Sequence, residues 1–307
     1  MNEGGTFDVT RETGTTGAGE MTAERTVETQ PPERIRSCVT VDARVITLDR
    51  ACADIQSGDR RVHSYIALDT ETTGLNPKQD RIIEIGAARV LDGMETECFQ
   101  TLVNPRRLLD LRVSELTGIT DGMLADAPDM DEVLDRFLEF AGDLPVLGHN
   151  ILFDFSFLKR AAVNRQREFE RQGVDTLALC RHFMPKDVRK SLNAACAFCG
   201  IRREGSHRAL GDARDAHRLY QRLLALYGES EPEAFAGRNL IYKVKREQPA
   251  SEKQKEGLRD LLKYHKIDLP LQIDSLSRSE ISRIRDKIIS QYGRIGSTGR
   301  GEDNDEQ

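Results

Sequence analysis

An apolar run that ends in two acidic residues narrows the possible folds of this chain more than any other segment. Residues 65–68 are continuously apolar, which predicts a strand at 64–69 of the kind that lies at the centre of a sheet. Asp69 and Glu71 follow at alternate positions, so both carboxylates face the same side of that strand. Two like charges placed in this way repel each other, and a cation between them removes the repulsion. For these two residues alone, an exposed strand edge is the favoured interpretation.

The apolar pattern between residues 63 and 228 alternates strands with helices. A second strand is predicted at 81–91, and Asp92-Gly93 is typical of a tight turn into a third strand at 96–103. A shorter strand is predicted at 144–148. Helical spacing predicts helices at 113–116, 130–140, 151–164, 175–183, 191–199 and 209–226. This order predicts an α/β fold with one mixed sheet flanked by helices.

Composition divides the chain into segments of different character. Residues 1–34 hold eight Thr, six Glu and five Gly but few large apolar side chains, so they cannot bury enough surface to offset their ordering entropy. The predicted organisation is a mostly disordered or weakly structured extension at 1–62, a folded domain at 63–228, a linker at 229–250, a small basic helical module at 251–294 and a disordered tail at 295–307.

Several classes of protein are excluded by the same composition. No apolar run approaches the roughly 20 residues that span a bilayer, so we expect no membrane association. The N-terminal residues form no apolar stretch, which argues against a secretory signal. Six cysteines in 307 residues are too few for a disulfide scaffold. A reducing, cytoplasmic location is therefore expected.

Two further motifs place acidic residues at the starts of predicted helices. Asp154 lies among aromatic and aliphatic neighbours within residues 148–158, where an unpaired charge is costly; a structural ion pair is the alternative interpretation. Asp212 opens the last helix of the domain, and His207 precedes it on the connecting loop. The histidine and aspartate alone are weak evidence of a site, but the three segments together are specific.

The three segments resemble the exonuclease motifs of the DEDDh family, also called the DnaQ-like 3′→5′ exonucleases. Residues 69–74 match the first motif, Asp-x-Glu-Thr-Thr-Gly, and residues 149–158 match the second, His-Asn-x-x-Phe-Asp-x-x-Phe-Leu. The third, His-x-Ala-x-x-Asp, is matched by residues 207–212. The segment Leu-Thr-Gly-Ile-Thr at 116–120 is similar to the branch of proofreading subunits and PolC-type enzymes. The resemblance covers about half of the chain and implies a ribonuclease H-like fold.

A two-metal site follows from the four acidic residues of these motifs and from the resemblance. Carboxylates of this kind can hold two divalent ions about 4 Å apart, here through Asp69, Glu71, Asp154 and Asp212. Mg²⁺ is the expected metal and Mn²⁺ an expected substitute. The family implies that His207 is the general base for the attacking water.

The resemblance also implies where the terminal nucleotide binds. In the family, the residues after the first glutamate contact it, which indicates Thr72, Thr73, Gly74 and Leu75. For Asn150, a helix cap is as plausible as a substrate contact. Without the motif, residues 72–74 would be interpreted as a plain turn.

The predicted function is a metal-dependent 3′→5′ exonuclease acting on single-stranded or frayed DNA 3′ ends, in proofreading or repair, with release of nucleoside 5′-monophosphates. A DNA polymerase or another replication protein is the expected protein partner. One alternative is a 3′→5′ exoribonuclease that trims small RNAs, since the motifs serve both substrates.

An alternative of another class is a recruitment module that acts through the basic C-terminal helices. Residues 235–295 hold 14 lysines and arginines against eight acidic residues, whereas the whole chain has a net charge of −6. The patterns Ser251-x-x-Gln254 and Ser277-x-x-Glu280 predict capping boxes at the starts of two helices. A basic surface of this kind suits a phosphate-rich or acidic partner, and a solvated helix face explains it equally well.

Overall fold

A mixed six-stranded sheet forms the centre of the computed structural model, which describes residues 59–203, 208–269 and 272–295. The strands lie in the order β3-β2-β1-β4-β5-β6. Their bounds are β1 Tyr65–Thr72, β2 Ile82–Leu91, β3 Met94–Leu102, β4 Val146–Gly148, β5 Gln172–Asp175 and β6 Arg238–Asn239. The predicted strand at 64–69 therefore extends to Thr72, and both Asp69 and Glu71 lie within it.

Strand pairing explains the topology. β1, β2 and β3 form an antiparallel meander, and β4 and β5 continue the sheet in parallel with β1. This arrangement confirms the predicted α/β fold with a ribonuclease H-like mixed sheet. In the β1–β2 pair, Glu71 lies opposite Glu84. That register brings a second glutamate to the acidic end of the central strand.

Helices cover both faces of the sheet. They are α1 Leu111–Thr117, α2 Asp121–Ala125, α3 Met130–Ala141, α4 Leu152–Asn164, α5 Thr176–Phe183, α6 Leu192–Phe198, α7 Ala209–Tyr227, α8 Glu252–His265 and α9 Arg278–Tyr292. None in the described part of the chain is long and apolar enough to cross a bilayer.

Alternation along β1 divides the core into two layers. Tyr65 and Ala67 pack in one cluster with Tyr220 of α7, while Ile66 and Leu68 pack in the other with residues such as Phe155 of α4. All six side chains are buried, as expected for a strand covered on both faces. The acidic residues beyond this run therefore begin where the core ends.

Residues 229–250, predicted as a linker, contribute to the sheet. A 3-10 helix at Pro232–Phe235 buries Phe235 completely, and the next residues form β6 beside β5. Neither short strand was predicted, because β6 has two residues and β5 has four, too few for a periodic pattern. Residues 1–58 and 296–307 of the two predicted disordered segments lie outside the described residues.

Candidate active site

Three carboxylates converge where β1 leaves the core. Asp69 and Glu71 lie on β1 and Asp212 lies in the first turn of α7. Each offers a carboxylate oxygen within 4.8 Å of the others, and all three residues are partly exposed. We call these three residues the acidic cluster. It joins two of the three sequence motifs.

A glycine allows α7 to approach the sheet closely enough to form the cluster. A Cβ atom at Gly86 of β2 would lie 2.0 Å from the backbone nitrogen of Leu210, so any larger residue would push the helix away. Asp212 is two residues further along α7 and is held near β1 by this contact. A carboxylate in the first turn also interacts favourably with the helix dipole.

Asp154 is tied directly to the strand that carries the cluster. It lies on α4 and is only 3% exposed. Its Oδ1 accepts hydrogen bonds from the Thr70 backbone nitrogen at 2.9 Å and from Thr70 Oγ1 at 2.7 Å. Thr70 lies between Asp69 and Glu71, so the fourth predicted carboxylate is adjacent to the cluster.

Crowding of these negative charges changes their protonation. Burial raises the pKa of Asp69 well above its usual range, and the charges of Asp154, Glu71 and Asp212 raise it further. Burial, Asp212 and Glu84 raise the pKa of Glu71 to about 7. Burial raises the pKa of Asp154 to about 7, against the hydrogen bonds from Thr70. In the absence of a cation, bound protons therefore compensate part of the negative charge of these carboxylates. Carboxylate oxygens are hard ligands, which suit Mg²⁺ or Mn²⁺.

Glu84 is a buried contributor to the site that sequence reasoning missed. Its side chain is fully buried and accepts hydrogen bonds from Arg208 Nη2 at 2.8 Å, the Ala209 backbone nitrogen at 3.1 Å and Gln100 Nε2 at 2.9 Å. It therefore fixes the start of α7, three residues before Asp212. The available signal was a glutamate within the apolar first half of β2, since a buried charge requires partners.

Arg203 is a second missed residue beside the cluster. Its guanidinium forms an ion pair with Asp212 through Nη2, and its Nε donates to Asp215 Oδ2 at 2.6 Å. Asp215 is 1% exposed and lies one turn further along α7. Arg203 thus ties Asp212 to a buried carboxylate of the same helix.

The predicted nucleotide-binding residues form a partly exposed turn next to Glu71. Thr72 Oγ1 donates to the Gly74 carbonyl at 2.6 Å, and the Thr73 nitrogen donates to the Arg81 carbonyl at 2.8 Å. Leu75 follows these residues and is 84% exposed. The turn is therefore held by its own hydrogen bonds and presents an apolar side chain at its tip.

Asn150 adopts a left-handed backbone with a φ of 74° at the turn between β4 and α4. Its side chain is exposed, and the N-terminal cap of α4 is Ile151, which forms no side-chain hydrogen bond. The Asn150 side chain therefore does not cap α4 in this structure, and its contact with substrate stays a prediction. His207 lies outside the described residues, so its role stays a prediction.

A comparison with protein families identifies the domain. A family model described as Exonuclease matches residues 66–220, just over half of the 307-residue chain. This chain belongs to the exonuclease family. The matched residues of this exonuclease domain include all of the acidic cluster and Asp154.

Comparisons with individual proteins agree with that assignment. The domain is 37% identical over 150 residues to a DNA polymerase III PolC-type protein of Clostridium perfringens, a match that covers 49% of this chain and 10% of the relative. It is 35% identical over 162 residues to the DNA polymerase III subunit epsilon of Aquifex aeolicus, covering 52% of this chain and 80% of the relative. The chain thus spans about a tenth of the PolC-type relatives it matches.

One solved structure similar to this exonuclease is exonuclease X in complex with 5′ overhanging duplex DNA. The two are 25% identical, the TM-score is 0.46, and the match covers 56% of this chain and 99% of that one.

Proposed function

We propose that this protein is a divalent-metal-dependent 3′→5′ exonuclease that hydrolyses phosphodiester bonds at DNA 3′ ends and releases nucleoside 5′-monophosphates. The observation that carries the proposal is the convergence of Asp69, Glu71 and Asp212 beside the buried Asp154, within a domain of the exonuclease family. We further propose that it acts in proofreading or repair, with a DNA polymerase or another replication protein as partner. The described cysteines are free thiols, which suits a reducing cytoplasm.

The four carboxylates have separate tasks in this proposal. Asp69, Glu71 and Asp212 would hold two metal ions through oxygens that lie within 4.8 Å of one another. Asp154, whose Oδ1 accepts from Thr70, would supply its second oxygen as a further ligand. Two such ions, when bound, lower the pKa of a water and stabilise the charge of the transferring phosphate. His207 accepts the proton of the attacking water, since an imidazole titrates near neutral pH.

The residues around the cluster hold and align the strand end. The turn of Thr72, Thr73 and Gly74 contacts the terminal nucleotide, and Leu75 packs against its base. Asn150 offers an exposed amide from the turn before α4. Arg203 and Glu84 keep Asp212 in register with β1, so that the ligands are ordered before substrate arrives.

Polarity and metal dependence are tested together with a 5′-labelled single-stranded oligonucleotide. Wild-type protein with Mg²⁺ should give a ladder of progressively shorter labelled products, and EDTA should stop it. Asp212→Ala should abolish degradation without changing the circular dichroism spectrum. Asp143→Ala, an exposed acidic residue after α3, is the matched control and should retain full activity.

Four results would each overturn a part of the proposal. Immediate release of the labelled mononucleotide would show the opposite polarity, and cutting of a circular single strand would show an endonuclease. Full activity in EDTA would exclude metal catalysis. A preference for an oligonucleotide with a 3′-ribo tail over one with a 3′-deoxy tail would replace DNA with RNA as the substrate.

A further inference from the structure

The C-terminal helical module, residues 251–294, has its own small core. Leu258 and Leu261 of α8 pack with Ile281 and Ile288 of α9, and all four are buried. Both predicted capping boxes are present, at Ser251 and at Ser277. The module is thus a folded helical pair, and what it does for the exonuclease domain depends on how it contacts that domain.

Glu280 of the module is a buried carboxylate with two functions in the fold. Its Oε2 accepts hydrogen bonds from Ser277 N and Oγ, both at 2.9 Å, and so completes the capping box of α9. Its Oε1 accepts from Arg107 Nη2 at 3.0 Å and from Arg81 Nη2. Glu280 is only 4% exposed, so it joins the module to two arginines of the exonuclease domain away from water.

The same contact continues into the turn that follows Glu71. Arg81, which pairs with Glu280, donates its backbone nitrogen to Thr73 Oγ1 at 3.0 Å, and its carbonyl accepts from the Thr73 nitrogen at 2.8 Å. One residue, Arg81, therefore links the buried carboxylate of the module to a proposed nucleotide-binding residue.

Two further hydrogen bonds fix the loop between Thr73 and Arg81. Arg107 Nη1 donates to the Gln79 carbonyl at 2.9 Å, and Arg283 of α9 donates from Nη2 to the Lys78 carbonyl at 3.1 Å. Side chains of the loop contribute as well, since Asp80 Oδ2 accepts a hydrogen bond from the Asn76 nitrogen at 2.9 Å and Asn76 Oδ1 accepts one from the Lys78 nitrogen at 3.0 Å. The loop backbone is therefore held in part by its own side chains and in part by arginines that the module contacts or supplies.

We infer that the C-terminal module braces the substrate turn, residues 72–81, and that Glu280 is the positioning residue through which it acts on the 3′ end of a DNA strand. The inference rests on the proposed function for its substrate. A loop already held in its bound conformation loses less entropy when a nucleotide binds. Removing the brace should therefore weaken binding of the strand end and leave the metal ligands in place.

The variant Glu280→Gln tests the contact with the exonuclease domain without unfolding the module. Glutamine at this position still completes a capping box, so α9 keeps its start while Arg81 and Arg107 lose their buried carboxylate. We expect KM for a single-stranded oligonucleotide to rise about tenfold, the equivalent of one lost hydrogen bond to a charged group. The value of kcat and the Mg²⁺ affinity measured by calorimetry should stay at wild-type levels.

Hydrogen exchange provides a readout that does not depend on activity. Backbone amides of residues 73–81 should exchange faster in Glu280→Gln than in the wild type, because the hydrogen bonds that close the loop open more often. Gln254→Glu, the reverse exchange at the equivalent position of the α8 capping box, is the matched control and should change neither exchange nor KM. Arg107→Gln removes the partner of Glu280 in the exonuclease domain. It should also raise KM and speed exchange of residues 73–81.

The outcomes separate this inference from the proposed function. Unchanged exchange in both brace variants overturns it, whatever the activity. Faster exchange with a wild-type KM would show that the module holds the turn but does not affect binding of the strand end. A parallel loss of kcat and of Mg²⁺ affinity would show general destabilisation and would overturn the inference. An inactive wild type with faster exchange in the variants would refute the exonuclease activity and leave the brace itself supported.

Discussion

Replacing Glu71 with glutamine removes one charge from the acidic cluster while keeping the size of the side chain. In the metal-free protein, burial and the neighbouring acids raise the pKa of Glu71 from an ordinary value of 4.5 to about 7. The folded state therefore binds this proton more tightly than the unfolded state. The contribution of protonated Glu71 to the free energy of unfolding is complete below about pH 4.5 and is lost as the pH rises through about 7.

The size of the effect follows from that pKa. Each pKa unit corresponds to about 1.4 kcal/mol of free energy. The Glu71 side chain is partly exposed, so solvent screening reduces the cost of ionising it in the folded state to at most about 3 kcal/mol. In EDTA, Glu71→Gln should thus equal the wild type at acid pH and exceed its stability by about 2–3 kcal/mol at about pH 8. Urea unfolding at several pH values measures the difference directly.

Adding Mg²⁺ should reverse the order of the two proteins. A metal that binds only the folded state stabilises it, by about 4.1 kcal/mol at a concentration one thousand times its Kd, which exceeds the cost of about 2–3 kcal/mol for ionised Glu71. The wild type should gain this stabilisation at about pH 8, above the pKa of about 7 of Glu71, where Mg²⁺ displaces the protons that remain on the crowded carboxylates. Glu71→Gln should gain much less, because it lacks one of the metal ligands.

The matched control is Glu95→Gln on β3, which removes a carboxylate paired with Arg214 at 2.6 Å. It should lower stability slightly and show no dependence on Mg²⁺. Equal stability of the wild type and Glu71→Gln in EDTA across this pH range would refute the crowded-charge argument. An unchanged wild type on addition of Mg²⁺ would refute the metal site.

Two further predictions concern His207, which precedes Asp212 in the sequence, and Glu84 of β2. His207→Ala should lower kcat by about 10²–10⁴-fold, the usual contribution of a general base, and leave Mg²⁺ affinity unchanged by calorimetry; wild-type turnover at neutral pH would show that His207 is not the base. Glu84→Ala should lower the free energy of unfolding by about 1–3 kcal/mol, because the Ala209 N–H and the Arg208 guanidinium lose a buried acceptor. Glu84→Gln keeps an acceptor and should cost less in urea unfolding, and equal losses in the two variants would contradict this account.

Much of the site was predictable from the sequence because its signals are local. The alternation of a strand places Asp69 and Glu71 on one side whatever surrounds them, and the apolar run before them predicts a central strand. Capping boxes at Ser251 and Ser277 depend on residues three positions apart. The family motifs combined these local signals into a fold and a candidate centre, and both the fold and the family are confirmed.

Only the tertiary structure decided which distant side chains meet. Glu280 pairs with Arg81 across 199 positions and Arg208 pairs with Glu84 across 124, and no periodicity in the chain records such a pairing. These contacts form because buried charges must find partners wherever the packing places them. The sequence by itself thus determined the carboxylates of the candidate centre, whereas packing decided that a C-terminal helix pair would hold the turn beside it.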